Sequence, residues 1–179
     1  MIKYTVANIS DIDITPIVEL EGQFTSSESE KPDIMRVLKS LKRLGGRVVL
    51  AHDGDEFIGH YVYVPFNKWT MISPKLFAVK AEMLAHNIDL DECTMPLYVH
   101  LKTEYNSKEN YLEFNKYRIE DAVKNGFKYG VVGINRGNPT YCYQQTWIDL
   151  KDEFEEYTNT EIIPLTTKYE GETVYIQYY

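Results

Sequence analysis

The chain has 179 residues, of which 44% are hydrophobic, 13% aromatic and 26% charged, a size that suits one domain burying about two-thirds of its unfolded surface. That apolar content excludes a disordered chain, and no apolar run approaches the ~20 residues of a membrane-spanning helix. The 27 acidic residues outnumber the 19 basic ones, for a net charge of -8, which argues against nucleic-acid binding by bulk electrostatics because phosphate neutralisation needs concentrated Lys and Arg.

Residues Ile2 to Ile9 form a β-branched and aromatic run that predicts a first strand. Ile14, Ile17, Val18 and Leu20 then give a helical stripe, with Ser10 or Asp11 as the expected cap. The polar segment 23–30 reads as loop. A second helix opens at Pro32 and Asp33, carries Ile34, Val37, Leu38 and Leu41 at helical spacing, and closes at Gly45-Gly46. Two apolar runs flank the turn Gly54-Asp55 and predict an antiparallel hairpin of strands two and three. Residues 67–73 read as loop, and a helix is expected from Pro74 to His86. An acidic connector with Asp89, Asp91 and Glu92 leads to strand four, residues 95–103.

A long amphipathic helix from Ser107 to Asn125, ended by Gly126, links strand four to strand five, residues 128–134. This strand-helix-strand unit predicts a parallel pair. The turn Asn135 to Pro139 leads into a helix reaching about Tyr157, and strands over 161–167 and 172–178 complete the chain. The expected architecture is α/β (α+β): a mixed central sheet of about seven strands with helices on both faces, in a single domain spanning 1–179. Residues 67–95 form an inserted helical segment larger than such a sheet requires. In open sheets with parallel strands at the centre, ligands commonly occupy the crevice at the strands' carboxyl ends.

Two cysteines, Cys93 and Cys142, are too few for a disulfide framework. The first residues, MIKYTVANISDID, carry acids early and lack the apolar block of a secretory signal. A cytoplasmic protein without membrane attachment is the expectation. The tyrosine-rich segment 172–179 is β-prone and a candidate surface for a homodimer.

This order of elements resembles the GNAT acyltransferase superfamily over nearly the whole chain. Residues 53–60, DGDEFIGH, look like that family's hairpin between the second and third strands. Residues 121–134, DAVKNGFKYGVVGI, look like the end of its third helix plus its fifth strand. Asn138 falls where the family often places an asparagine before its fourth helix. The resemblance implies an N-acyltransferase that moves an acetyl or other acyl group from acyl-CoA to a small-molecule or protein amine, with no metal. It also implies that Leu101 and Thr103 on strand four hold the pantetheine arm by strand-like hydrogen bonds.

The family cradles the pyrophosphate with Arg/Gln-x-x-Gly-x-Gly/Ala, whose glycines allow backbone N–H groups to approach phosphate. Counted back from Gly126-Phe127, this chain places TEYNSKENY there, with Asn106 for the arginine, Ser107 after it, Glu109 for the first motif glycine and Tyr111 for the last. Two readings stand. Asn106, Ser107, Lys108 and Asn110 form an unusual phosphate nest, with Lys108 supplying charge. Alternatively the fold is kept as a catalytically inactive binding or interaction module, or as a transferase with a different donor.

His100, in the middle of strand four, is the candidate base for the attacking amine; its other reading is a strand histidine hydrogen-bonded to a neighbour. His52 and His60 on the hairpin strands could share a sheet face with it, at no spacing that indicates a metal. The family often uses a helix-four tyrosine to protonate the departing thiolate. The expected position falls on Gln145, between candidates Tyr141 and Tyr143 on one side and Trp147 on the other, and Tyr143 is the choice. Glu19 and Glu21 resemble in position the acceptor-binding segment and would attract a cationic amine. Cys142 reads as a small buried hydrophobe, since no Cys–His–Asp signature surrounds it.

Overall fold

The computed structural model describes residues 1–24, 31–133, 151–169 and 172–179. The strands follow the hydrogen-bonded order β1-β2-β3-β4-β5-β7-β6 in a mixed seven-stranded sheet. Two compact units are distinguished, 1–64 with 97–118, and 65–96 with 119–179.

The first unit begins with β1 (Ile2–Asn8), helix α1 (Thr15–Phe24) and helix α2 (Lys31–Leu44). Helix α1 starts later than the expected caps. Ser10 and Asp11 lie in a 3-10 turn, Ile9–Asp11, and Asp13 instead accepts from the backbone N–H and hydroxyl of Thr15 at 2.9 and 2.7 Å. An aspartate two residues ahead of the first helical N–H satisfies a donor that Ser10 is too distant in sequence to reach. Strands β2 (Arg47–Asp53) and β3 (Glu56–Pro65) form the expected antiparallel hairpin, from Arg47↔Tyr63 to Asp53↔Glu56, and β1 pairs antiparallel with β2. Residues Ile58 to Val64 of β3 are all buried, as a strand covered on both faces requires.

Strand β4 (Cys93–Leu101) ends in the first unit. It stops two residues earlier than the sequence suggests, because the Lys102 N–H turns to Ile58 O at 2.8 Å and Thr103–Tyr105 winds into a 3-10 turn. Helix α5 (Lys108–Lys124) follows; its residues Tyr111, Leu112, Phe114, Arg118, Ile119 and Ala122 are buried at helical spacing. The Arg118 guanidinium is fully buried and lies 5.5 Å from the Tyr61 ring centroid.

In the second unit, the expected loop 67–73 contains a short helix, α3 (Phe66–Thr70), closed by the Thr70 hydroxyl donating to Asn67 O at 2.8 Å. The helix expected over 74–86 is a 3-10 turn, Pro74–Leu76, running into α4 (Phe77–Ala85). The acidic connector is a 3-10 turn, Leu90–Glu92, capped by Asp89, which accepts from Asp91 N–H at 2.9 Å. Strand β4 therefore begins at Cys93, two residues before the expected start.

Gly126, at φ +87°, closes α5 with its N–H on Val123 O and the Phe127 N–H on Ala122 O, a left-handed cap that a side chain would strain. Strand β5 (Tyr129–Gly133) pairs parallel with β4 at Cys93↔Tyr129 and Thr94↔Gly130. Helix α6 (Lys151–Thr158) and strands β6 (Glu161–Tyr169) and β7 (Glu172–Tyr178) complete the unit, with β7 antiparallel to both β5 and β6. Glu82 of α4 ties down β6 by accepting from Thr166 N–H and Thr167 N–H at 2.8 and 2.7 Å. Among the described residues no helix is long and apolar enough to cross a membrane.

Candidate functional site

Three polar side chains from three elements meet in the first unit. Ile14 just ahead of helix α1 and Ile17 and Val18 within it form an apolar stripe, and the next position on that stripe is Glu21. A carboxylate there is carried inward with the stripe and needs a partner. It finds two. His60 Nε2 of β3 lies 2.6 Å from Glu21 Oε1, and His100 Nδ1 of β4 contacts the same oxygen. Glu21, His60 and His100 are 4%, 0% and 6% exposed, so water does not compete for these bonds.

The strands reach this geometry because Gly59 lets β3 lie against β4. A Cβ at Gly59 would stand 2.6 Å from His100 O and 2.6 Å from Leu101 Cδ2. Aromatic rings hold the imidazoles: Phe24 stacks on His100 with centroids 4.4 Å apart, and Phe57 lies parallel to His60 at 6.1 Å.

Burial alone would raise the Glu21 pKa, but the hydrogen bonds from His100 and His60, together with their charge, hold it down to about 2. Burial lowers the His60 pKa against the opposing pull of Glu21. At neutral pH the cluster therefore holds a carboxylate facing a neutral His60. An ionised carboxylate is acceptor-only, so each ring nitrogen facing it is the protonated one. His60 Nδ1 and His100 Nε2, on the far sides of the rings, have no hydrogen-bond partner among the described residues.

The ligand atoms of Glu21, His60 and His100 also lie within 4.8 Å of one another, a spacing that a divalent cation could bridge. Metal-bound imidazoles normally donate their second N–H to a carboxylate or carbonyl, and neither far-side nitrogen here has one. The donor set suits hydrogen bonding around a carboxylate better than ligation.

Past His100 and the buried Leu101, Thr103 is exposed in its 3-10 turn and Asn106 ends that turn. Ser107 Oγ accepts from Asn110 N–H at 3.2 Å, and the Asn110 amide donates to Tyr105 O at 2.8 Å. The Glu109 carboxyl is held below its usual range by its own backbone N–H and then by Ser107. Two N–H groups at the start of α5 are thus already taken by side chains, and one of those side chains is an anion. Tyr111 is buried in α5.

His100, Leu101, Thr103, Asn106, Ser107, Lys108 and Asn110 thus all lie in the first unit, along β4 and the turn entering α5. Asn138 and Tyr143, with Tyr141, Cys142, Gln145 and Trp147, lie outside the described residues. His52 stands apart from the cluster, against Phe57 at 5.7 Å, and Glu19 is exposed. The direct link from Glu21 to both histidines is the feature that sequence reasoning missed. Its signal was a lone acid on the apolar stripe of α1 together with two histidines inside apolar strands.

No protein-family model matches the sequence, and no curated protein matches it. Solved structures do resemble it. The PaiA N-acetyltransferase of Thermoplasma acidophilum in complex with coenzyme A superposes with a TM-score of 0.60 at 13% identity, covering 100% of this chain and 99% of that one. The ribosomal-protein-alanine N-acetyltransferase of Brucella melitensis gives 0.57 at 11% identity, covering 98% and 97%. The AHL synthase LasI gives 0.58 at 9% identity, covering 99% and 89%. The chain has the GNAT fold, as its strand order and these likenesses agree.

Proposed function

We propose that the protein transfers an acyl group from an acyl-CoA to an amine, with His100 as the base. The observation that carries this reading is the buried His100 on β4, hydrogen-bonded through Nδ1 to Glu21 and with Nε2 unpartnered among the described residues. An imidazole anchored on one side by a carboxylate keeps its basic lone pair on the other; that nitrogen is itself buried, so the reading requires the bound amine to open a path to it.

In this reading the amine arrives as an ammonium and gives one proton to His100 Nε2. Its freed lone pair forms the C–N bond as the thioester C–S bond breaks, and a β4 backbone N–H donates to the carbonyl oxygen as charge develops there. The departing thiolate takes the Tyr143 phenol proton. The nitrogen's second proton restores the phenol, and the proton on His100 leaves to solvent. Leu101 and Thr103 line the pantetheine arm. Asn106, Ser107, Lys108 and Asn110 face the phosphates, and Asn138 joins them in holding the donor. Acetyl-CoA is the expected donor, a small-molecule or protein amine the expected acceptor, and the cytoplasm the expected setting.

One observation favours a second reading, a GNAT-fold binding module without acyl transfer: the N–H groups of Glu109 and Asn110 are satisfied from within the loop. Calorimetric titration with acetyl-CoA separates the two. Saturable binding in the low micromolar range supports the transferase; no heat at millimolar donor removes it and leaves the binding module.

A further inference from the structure

One glutamate oxygen shared by two imidazoles is more than a base needs. A single carboxylate–histidine pair would fix the tautomer of His100. The second histidine enters from β3, is wholly buried, and binds the same Oε1 at 2.6 Å. We infer that Glu21 is a common bridge fixing the proton positions of both imidazoles, and that His60 is a positioning residue that keeps the bridge aimed and ionised so that His100 presents Nε2 as its basic atom. The inference rests on the acyl-transfer reading for its use, though not for its geometry.

The chemistry follows from the acceptor count. Glu21 Oε1 receives the His60 Nε2–H and the His100 Nδ1–H, and both lone pairs are thereby directed to the far ring nitrogens, His60 Nδ1 and His100 Nε2. His60 also weakens the pull of Glu21 on any proton added to His100, because a donated hydrogen bond draws charge off the shared oxygen. Gains of a proton by the two rings are mutually exclusive around one negative charge: the first imidazolium neutralises Glu21 and leaves the second uncompensated in a buried site.

Among the described residues, the Tyr98 phenol of β4 is also set against this cluster. Burial first, then the charges of Glu21 and Asp33 of α2, push it up to about 12. It stays neutral throughout the range in which imidazoles titrate.

The test is side-chain nitrogen NMR on isotope-labelled histidines in the full chain without donor. The expected pattern at neutral pH is a protonated Nε2 on His60 and a protonated Nδ1 on His100. Substituting His60→Leu should move the His100 Nδ1–H proton resonance downfield, because the shared oxygen loses its competing donor and binds the remaining one more tightly, and His60→Gln, whose amide can still donate to Glu21, should restore it most of the way. A neutral His100 protonated at Nε2, or a His100 Nδ1–H resonance untouched by His60→Leu, overturns the inference. Should the Leu variant fail to fold, the tautomers of the unaltered protein and the Gln variant decide alone. Acetyl-CoA titration is scored separately: tautomers as expected with no donor binding remove the transferase and keep the bridge, whereas donor binding with the wrong tautomers does the reverse.

Discussion

Gly59 of β3 and the carbonyl oxygen of His100 on β4 are so close that a methyl group on Gly59 would lie 2.6 Å from that oxygen. The absent side chain is what lets the two histidine-bearing strands converge on Glu21, since His60 is the next residue along β3.

Gly59→Ala should therefore destabilise the protein by about 1–3 kcal/mol, the usual cost of overpacking a closed site. Chemical denaturation measures this directly. An unchanged midpoint would contradict the close approach.

Replacing Glu21 with Leu leaves two buried imidazole N–H groups facing a hydrocarbon. Each buried donor left without an acceptor costs about 1–3 kcal/mol, so Glu21→Leu should cost about 2 kcal/mol or more. Glu21→Gln should cost less, because its carbonyl oxygen still accepts. Equal stability of the two variants would show that the shared oxygen holds nothing.

Stability should decline on acidification in two stages. His60 has a folded-state pKa below its ordinary 6.5, so the unfolded chain binds a proton there first, and stability falls as pH drops below 6.5. Glu21 and Glu82, each held near 2 against an ordinary 4.5, add stability that is complete above 4.5 and lost as pH falls toward about 2. Urea denaturation from pH 7.5 to 3 reads this out. Constant stability between pH 7 and 5 would contradict the His60 stage.

At the start of α5, Lys108→Glu and Glu109→Ala should act in opposite directions on acetyl-CoA. The first places an anion beside the phosphates and should weaken binding at least tenfold, or about 1.4 kcal/mol. The second removes an anion and frees the Glu109 N–H, and should tighten binding. If both leave the affinity unchanged, residues 106–110 do not hold the phosphates.

Glu82→Ala should loosen β6 by removing the acceptor of the Thr166 and Thr167 N–H groups. A cost of about 2 kcal/mol is expected from two lost backbone partners. Hydrogen exchange at these two amides should accelerate more than at β7; uniform exchange would contradict a local tie.

The order of elements along the chain was legible because it rests on local signals. Gly54-Asp55 between two apolar runs marks the β2–β3 hairpin, and Gly126 after a long amphipathic stretch marks the crossover into β5. Short 3-10 turns at Ile9–Asp11 and Leu90–Glu92 were not, since three residues carry no periodicity and their capping aspartates also suit loops. His100 stood out by its strand. The bridge did not, because Glu21, His60 and His100 are 39 and 79 residues from one another through Glu21, and only the packing of α1 on β3 and β4 joins them.

A crystal structure of the complex with coenzyme A tests acyl transfer most directly. The account requires the pantetheine arm to run beside Leu101 and Thr103, its sulfur end within reach of an amine placed at His100 Nε2, and the phosphates against residues 106–110. Coenzyme A seated elsewhere, or density absent at saturating ligand, would contradict it.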